Sequence, residues 1–194
     1  MKDEGLVERK FVASLHRAID DIAPEQLEVF EKWFDPGDRR PRFHIAPVIG
    51  ALGYLRKTPS IYQEVMEKAG NYASQWCCSD IPQFKRKVMQ SKLPLGRERL
   101  LRNLLRWCLR SIHRDGELEL QKNDDTLVLT ITNSLFCRTN GRAAEEPTCV
   151  YYASLFEGLL GGCTHEGCSS IIESQCRARG DLSCTFEALM RTAA

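Results

Sequence analysis

The stretch IIESQCRARGDLSCTFEA, from Ile171 to Ala188, decides the reading of this chain. Strands are expected around Ser169–Ser174 and Ser183–Ala188, joined by a glycine-containing bend at Gly180-Asp181. The bend brings Glu173, Cys176 and Cys184, all within twelve residues, toward the joined strand ends. Further back, Leu118 and Leu120 alternate with polar neighbours, as do Leu127, Leu129 and Ile131 across Asn123-Asp124-Asp125. That pattern predicts a second antiparallel pair. Between the pairs, a polar connection from Asn140-Gly141 to Pro147 leads to Tyr151, Leu155, Leu159 and Leu160. These residues form the apolar face of a short helix that Gly161-Gly162 is expected to stop.

Upstream of Asp115-Gly116 the period is helical. Phe11, Leu15 and Ile19 recur every four residues, and Pro24 opens a segment with Leu27 and Phe30 on one face, ending near Trp33-Phe34. Asp35-Pro36-Gly37-Asp38 signals a turn. Helices are expected over His44–Arg56, with Pro47 at a first turn or a break, and over Pro59–Trp76. Pro82 begins a shorter helix, and Pro94 and Gly96 interrupt the chain before the strongest helical run, Arg97–His113. There Leu101, Leu104, Leu105, Cys108 and Ile112 form a buried stripe, while Arg102, Arg106, Arg110 and Arg114 line another face. That arginine edge reads as a solvated face paired with acids, or as a wall for an anion. The chain therefore reads as one α+β domain over residues 1–194. Residues 1–114 are mainly helical, and residues 115–188 carry a mainly antiparallel sheet and the cysteine motif.

The 194 residues include 27 Lys and Arg against 26 Asp and Glu, a formal charge of +1. Proteins held mainly by nucleic-acid phosphates carry a larger positive excess, so direct nucleic-acid binding is not expected. The start MKDEGLVERK has no apolar h-region, and no apolar run approaches the length of a membrane span. A cytoplasmic location is expected, where thiols stay reduced and the nine cysteines are not a disulfide framework.

Thiolates select zinc over calcium or magnesium. Cys176, Cys184 and Glu173 supply three arms of a tetrahedral site, and Cys149, at the start of the preceding helix, is a natural fourth. Competing sets exist: Cys163 and Cys168, with His165 between them, form another candidate cluster, and Cys163, Cys168, Cys176 and Cys184 are chemically plausible together. Spacing does not choose among them. Cys77, Cys78, Cys108 and Cys137 read as packed or free thiols.

Three motifs, TNSLF at Thr132–Phe136, CVYYASLFEGLLGG at Cys149–Gly162 and ESQCRARGDLSCTFE at Glu173–Glu187, give the final third a family likeness. It resembles the 4-vinyl-reductase-type small-molecule-binding domains, which are related in fold to bacterial aromatic-effector sensor domains and to Bet3-like vesicle-tethering subunits. The resemblance implies the Bet3-like ligand-binding fold of nitric-oxide signalling and Golgi transport, with amino-terminal helices packed on a mainly antiparallel sheet. It also implies one structural zinc ion per chain on Cys149, Glu173, Cys176 and Cys184. With four protein ligands such a site keeps no open position for a reactive water.

The same resemblance implies a pocket for a hydrophobic compound, aromatic or tetrapyrrole, held by a stand-alone sensor or carrier. Trp76, Trp107, Phe136, Tyr151, Tyr152 and Phe156 are the candidate wall, and each is also a sensible core residue. Two other roles follow from relatives: an assembly adaptor working as a homo-dimer or with a separate protein partner, and a reductase or accessory factor in (bacterio)chlorophyll synthesis. The residues argue against intrinsic reduction. No glycine-rich dinucleotide fingerprint follows a strand, no flavin motif or iron–sulfur cysteine run is evident, and His16, His44, His113 and His165 are scattered.

Overall fold

The computed structural model describes residues 6–32, 34, 40–90, 97–123, 126–139, 148–163 and 168–190. Among these are seven helices and two antiparallel sheets, a mixed α+β architecture. Strand β1 (Leu6–Glu8) leads into α1 (Arg9–Ile22). A 3-10 turn at Pro24–Gln26 and the short α2 (Leu27–Glu31) follow, then β2 (Arg42–His44), α3 (Ile45–Leu55), α4 (Pro59–Asp80), α5 (Gln83–Gln90) and α6 (Arg97–Arg110). The second part contains β3 (Glu117–Asn123), β4 (Thr126–Thr132), a 3-10 turn at Phe136–Thr139 and α7 (Val150–Cys163). It closes with β5 (Cys168–Gln175), a 3-10 turn at Arg177–Arg179 and β6 (Cys184–Met190).

The larger sheet has the order β3-β4-β6-β5. Its register sets Ile131 opposite both Leu118 and Cys184, and Leu129 opposite both Leu120 and Phe186. The two hairpins are thus joined through β4 and β6, and their inward residues form continuous rows. On β5, Ile171 faces Ala188 and Glu173 faces Phe186, with a bulge after Glu173. That bulge bends the strand just before Cys176.

Helix α7 packs on both α4 and β5. A Cβ on Gly70 would lie 2.5 Å from the Tyr151 carbonyl oxygen and 2.8 Å from the Ser154 Cβ, and one on Gly158 would lie 2.7 Å from the Ser74 Cβ. Gly70 therefore meets Ser154 and Ser74 meets Gly158. Both numbers rise together, so the two helices run parallel with small residues every four positions along the seam. Close backbone approach at these positions is open only to glycine. Beside the seam, Phe11 of α1 packs against Phe136 and Tyr151 at ring distances of 5.9 and 5.2 Å.

Several local expectations change in three dimensions. Gly161-Gly162 do not stop α7, which continues to Cys163; α4 passes Trp76 to Asp80, and α6 ends at Arg110 rather than His113. Pro47 sits in the first turn of α3, where its missing N–H costs nothing. The β1–β2 pair has no sequence signature because three-residue strands are too short to alternate visibly. Its register is Leu6 with His44 and Glu8 with Arg42, and Val7 also bridges His113. Arg106, on the arginine edge, donates its Nε–H to the Leu118 carbonyl at 3.0 Å, tying α6 to β3. The turn expected at Asp35–Asp38 and the connection at Asn140–Pro147 lie outside the described residues.

Candidate metal centre and ligand groove

Four chain segments bring their cysteines to one corner of the sheet. Cys137 lies in the 3-10 turn after β4, Cys149 immediately precedes α7, Cys176 follows β5 and Cys184 opens β6. Their sulfurs all lie within 4.8 Å of one another. Cys137 Sγ is 3.5 Å from Cys149 Sγ, 3.8 Å from Cys176 Sγ and 3.3 Å from Cys184 Sγ, and Cys149 and Cys184 are 3.6 Å apart. A tetrahedron with Zn–S arms of ~2.3 Å has S···S edges of ~3.8 Å, so the cluster matches the dimensions of a four-thiolate site. These four close cysteines could hold a metal ion.

The β5–β6 turn is built for this position. Asp181 accepts the Cys176 N–H at 2.7 Å through Oδ2, and the Arg179 N–H bonds the Cys176 carbonyl at 2.8 Å. Gly180 takes φ 104°, in the left-handed region. Cys137 and Cys149 are fixed from the other side. Arg56 donates to the Phe136 carbonyl at 2.7 Å and to the Tyr62 hydroxyl at 3.0 Å, while Tyr62 donates to the Thr148 carbonyl at 2.9 Å. The two segments carrying these cysteines are therefore held by one Arg–Tyr bracket. Ser134 Oγ lies 3.2 Å from Cys149 Sγ.

Of the four ligands implied by the sequence, Cys149, Cys176 and Cys184 are together. Glu173 stands beside them with Oε2 accepting the Cys149 N–H at 3.0 Å. Its Oε1 is buried and has no hydrogen-bond partner among the described residues. Burial, reinforced by Cys176, pushes the Glu173 carboxyl up to about 9. Hydrogen bonding from Cys149 and Cys184 brings the Cys137 thiol down to about 6, and thiols around Cys176 hold it well below the ordinary range. Burial raises Cys149, and hydrogen bonding with Cys137 raises Cys184. The four thiols thus differ in how readily each ionises, as expected where like charges crowd in a buried space. A divalent cation would remove that conflict by letting the thiols ionise together.

Cys137 was expected to pack or remain free. It directly follows TNSLF, and only the fold brings it to the other three sulfurs. Cys163 pairs instead with Cys78, whose Sγ is 2.9 Å away. His165 and the Cys168 side chain lie outside the described residues.

The six aromatic candidates occupy different places. Phe136, Tyr151, Tyr152 and Phe156 are fully buried and pack on one another and on Phe11 and Phe186. Tyr151 also shares a 3.1 Å hydrogen bond with Ser14. Trp76 is half-buried and stacks on Tyr72. Trp107 is 43% exposed and borders a groove of about 440 Å³ between the end of α4, α5 and α6. The groove has apolar walls from Ile81, Met89, Leu100 and Leu104, with Lys85 and Asn103 at polar positions. Lys10 sits 5.3 Å over the Trp107 ring and 2.6 Å from Asp80. Trp107 is among the aromatic candidates for the pocket that the resemblance implies, but nothing in the sequence points to Met89 or Lys85, which arrive from another helix.

No family model matches the chain, and no curated protein matches it. Among solved structures it is similar to the phenol-responsive sensory domain of the transcription activator PoxR, crystallised with phenol, at 15% identity and a TM-score of 0.54. The match covers 75% of this chain and 74% of that one. The likeness shows a shared fold. No helix among the described residues is long and apolar enough to cross a membrane.

Proposed function

We propose that this protein is a metal-stabilised, non-catalytic binding domain for a small aromatic compound, acting as a sensor or carrier. The observation that carries the reading is the groove beside Trp107. Its volume of about 440 Å³ falls in the range of small-molecule sites, and its apolar walls carry only a few polar groups. A phenol-sized ring would stack on Trp107, with Asn103 and Lys85 available to its hydroxyl. The fold likeness to a phenol-responsive domain supports the same ligand class, and the motifs of the final third support a place among the 4-vinyl-reductase-type domains. A tetrapyrrole is the alternative ligand that those motifs imply.

The metal is zinc in this reading, with Cys149, Cys176 and Cys184 as shared ligands. Sulfur distances favour Cys137 as the fourth. The buried, unpartnered Glu173 Oε1 favours the carboxylate as a second reading. Either set ties β5, β6 and the start of α7 together, so the ion would do structural work and leave binding to the groove.

Titration with phenol and substituted phenols, followed by tryptophan fluorescence, tests the function. Saturable quenching is expected in the wild type. Trp107→Ala should weaken binding at least about tenfold, the equivalent of ~1.4 kcal/mol, as read by calorimetry. Absence of binding to phenols at millimolar concentration would remove the aromatic-sensor reading. A copurified pigment with visible absorption would replace it with tetrapyrrole handling. Failure to bind either class, with a self-associating chain in native mass spectrometry, would favour the assembly adaptor.

A further inference from the structure

Outside the four-cysteine corner, a second pair of thiols meets at the far end of the α4–α7 seam. Cys78 and Cys163 face each other with sulfurs 2.9 Å apart, although 85 residues separate them in sequence. An S–S bond is ~2.04 Å long, so closing the pair needs a movement of under ~1 Å. The approach follows from the same packing that seats Gly70 and Gly158, because Gly162 places its backbone against Cys78, where an added Cβ would lie 3.3 Å from the sulfur. Cys78 is half-buried and reachable by a small oxidant, while Cys163 is buried behind it.

We propose that Cys78 and Cys163 form a reversible disulfide that staples α4 to α7 when the protein meets a peroxide. The two thiols have unequal roles. A hydrogen bond from Cys163, helped by the nearby Arg86 charge, lowers the Cys78 thiol and favours its thiolate. The Arg86 guanidinium is held there by donating to the Cys78 carbonyl. The Cys78 thiolate attacks one peroxide oxygen, the O–O bond breaks, and Cys78 becomes a sulfenic acid as hydroxide leaves. Cys163 sulfur then attacks the Cys78 sulfur, the S–O bond breaks, and water departs with the Cys163 proton. Two thiols and one hydrogen peroxide yield one disulfide and two waters, with the proton given up by Cys78 neutralising the hydroxide.

The staple lies two residues before Asp80, the first residue of the Trp107 groove. Its formation fixes the end of α4 from which the groove's rim departs. This inference does not depend on what the groove or the metal corner binds.

Metal-loaded protein treated with hydrogen peroxide should lose 2 Da in intact mass and gain two protected thiols. The loss should reverse with a thiol reductant. It should vanish in both Cys78→Ser and Cys163→Ser and persist in Cys77→Ser and Cys108→Ser. The wild type, but not the Cys78→Ser/Cys163→Ser double variant, should also gain roughly 10 °C in melting temperature on oxidation, because the bond closes a long loop. Retention of the 2 Da loss in Cys78→Ser, its disappearance in Cys77→Ser or Cys108→Ser, or no loss in the wild type would overturn the proposal.

Discussion

Cys184→Ser is expected to strip the protein of stoichiometric zinc and lower its melting temperature by roughly 8–16 °C. Structural metal binding is folding free energy, and losing one thiolate from a closed site costs on the order of 4 kcal/mol. For a chain of this size each kcal/mol moves the transition by ~2–4 °C. Cys184 opens β6 opposite Ile131, so its loss also frees the strand that joins the two hairpins. The measurement is metal content with calorimetry, before and after chelation. Chelation of the wild type should reproduce most of the destabilisation, while the variant should not respond. Normal zinc content in Cys184→Ser would reject the ligand assignment.

The same preparation separates the two fourth-ligand readings. Cobalt loaded in place of zinc reports thiolate number through sulfur-to-metal charge-transfer absorption. With Cys137 as ligand, Cys137→Ser should lose about a quarter of that intensity, and Glu173→Gln should leave it unchanged. With Glu173 as ligand, Cys137→Ser should keep the intensity while Glu173→Gln perturbs the cobalt visible bands.

Gly70→Ala should destabilise the fold by about 2–3 kcal/mol, against the direction of helix propensity, which alone would favour alanine by ~1 kcal/mol. The new methyl would meet the Tyr151 carbonyl oxygen and the Leu155 nitrogen, which are backbone atoms that no rotamer can move. Relief requires α4 to withdraw from α7, opening the core around Phe11, Phe136 and Tyr151. Gly53→Ala is the control. It lies in α3 with nothing within 4 Å of an added Cβ, so alanine there should stabilise by up to ~1 kcal/mol. Chemical denaturation of the two variants checks the contrast, and equal effects at both positions would contradict close packing of the parallel helices.

Much of the architecture was legible because it is written in local periods. Phe11, Leu15 and Ile19 mark α1, the Leu101–Ile112 stripe marks α6, and alternation at Leu118–Leu120 and Leu127–Ile131 marks β3 and β4. Helix ends were less legible. Gly161-Gly162 read as a stop, yet the packing of α7 against α4 carries the helix through both glycines, since tertiary burial outweighs a propensity cost of ~1 kcal/mol per glycine. The aromatic residues show the same limit. Their type suits a ligand wall and a core equally, and only burial separates Tyr152, closed in among other rings, from Trp107 beside an open groove.

The sequence by itself determined the order of helices before sheet, both hairpins, and two cysteines with a glutamate drawn together by one turn. These follow from contacts between residues a helical turn or a hairpin apart, where spacing carries the information. Only the tertiary structure decided that Cys137 joins that corner, that Cys78 meets Cys163, and that Trp107 shares a groove with Met89. Those meetings span 12 to 85 residues of chain. They depend on how helices and strands pack, and on side chains too small to leave a period, such as the glycines and serines of the α4–α7 seam.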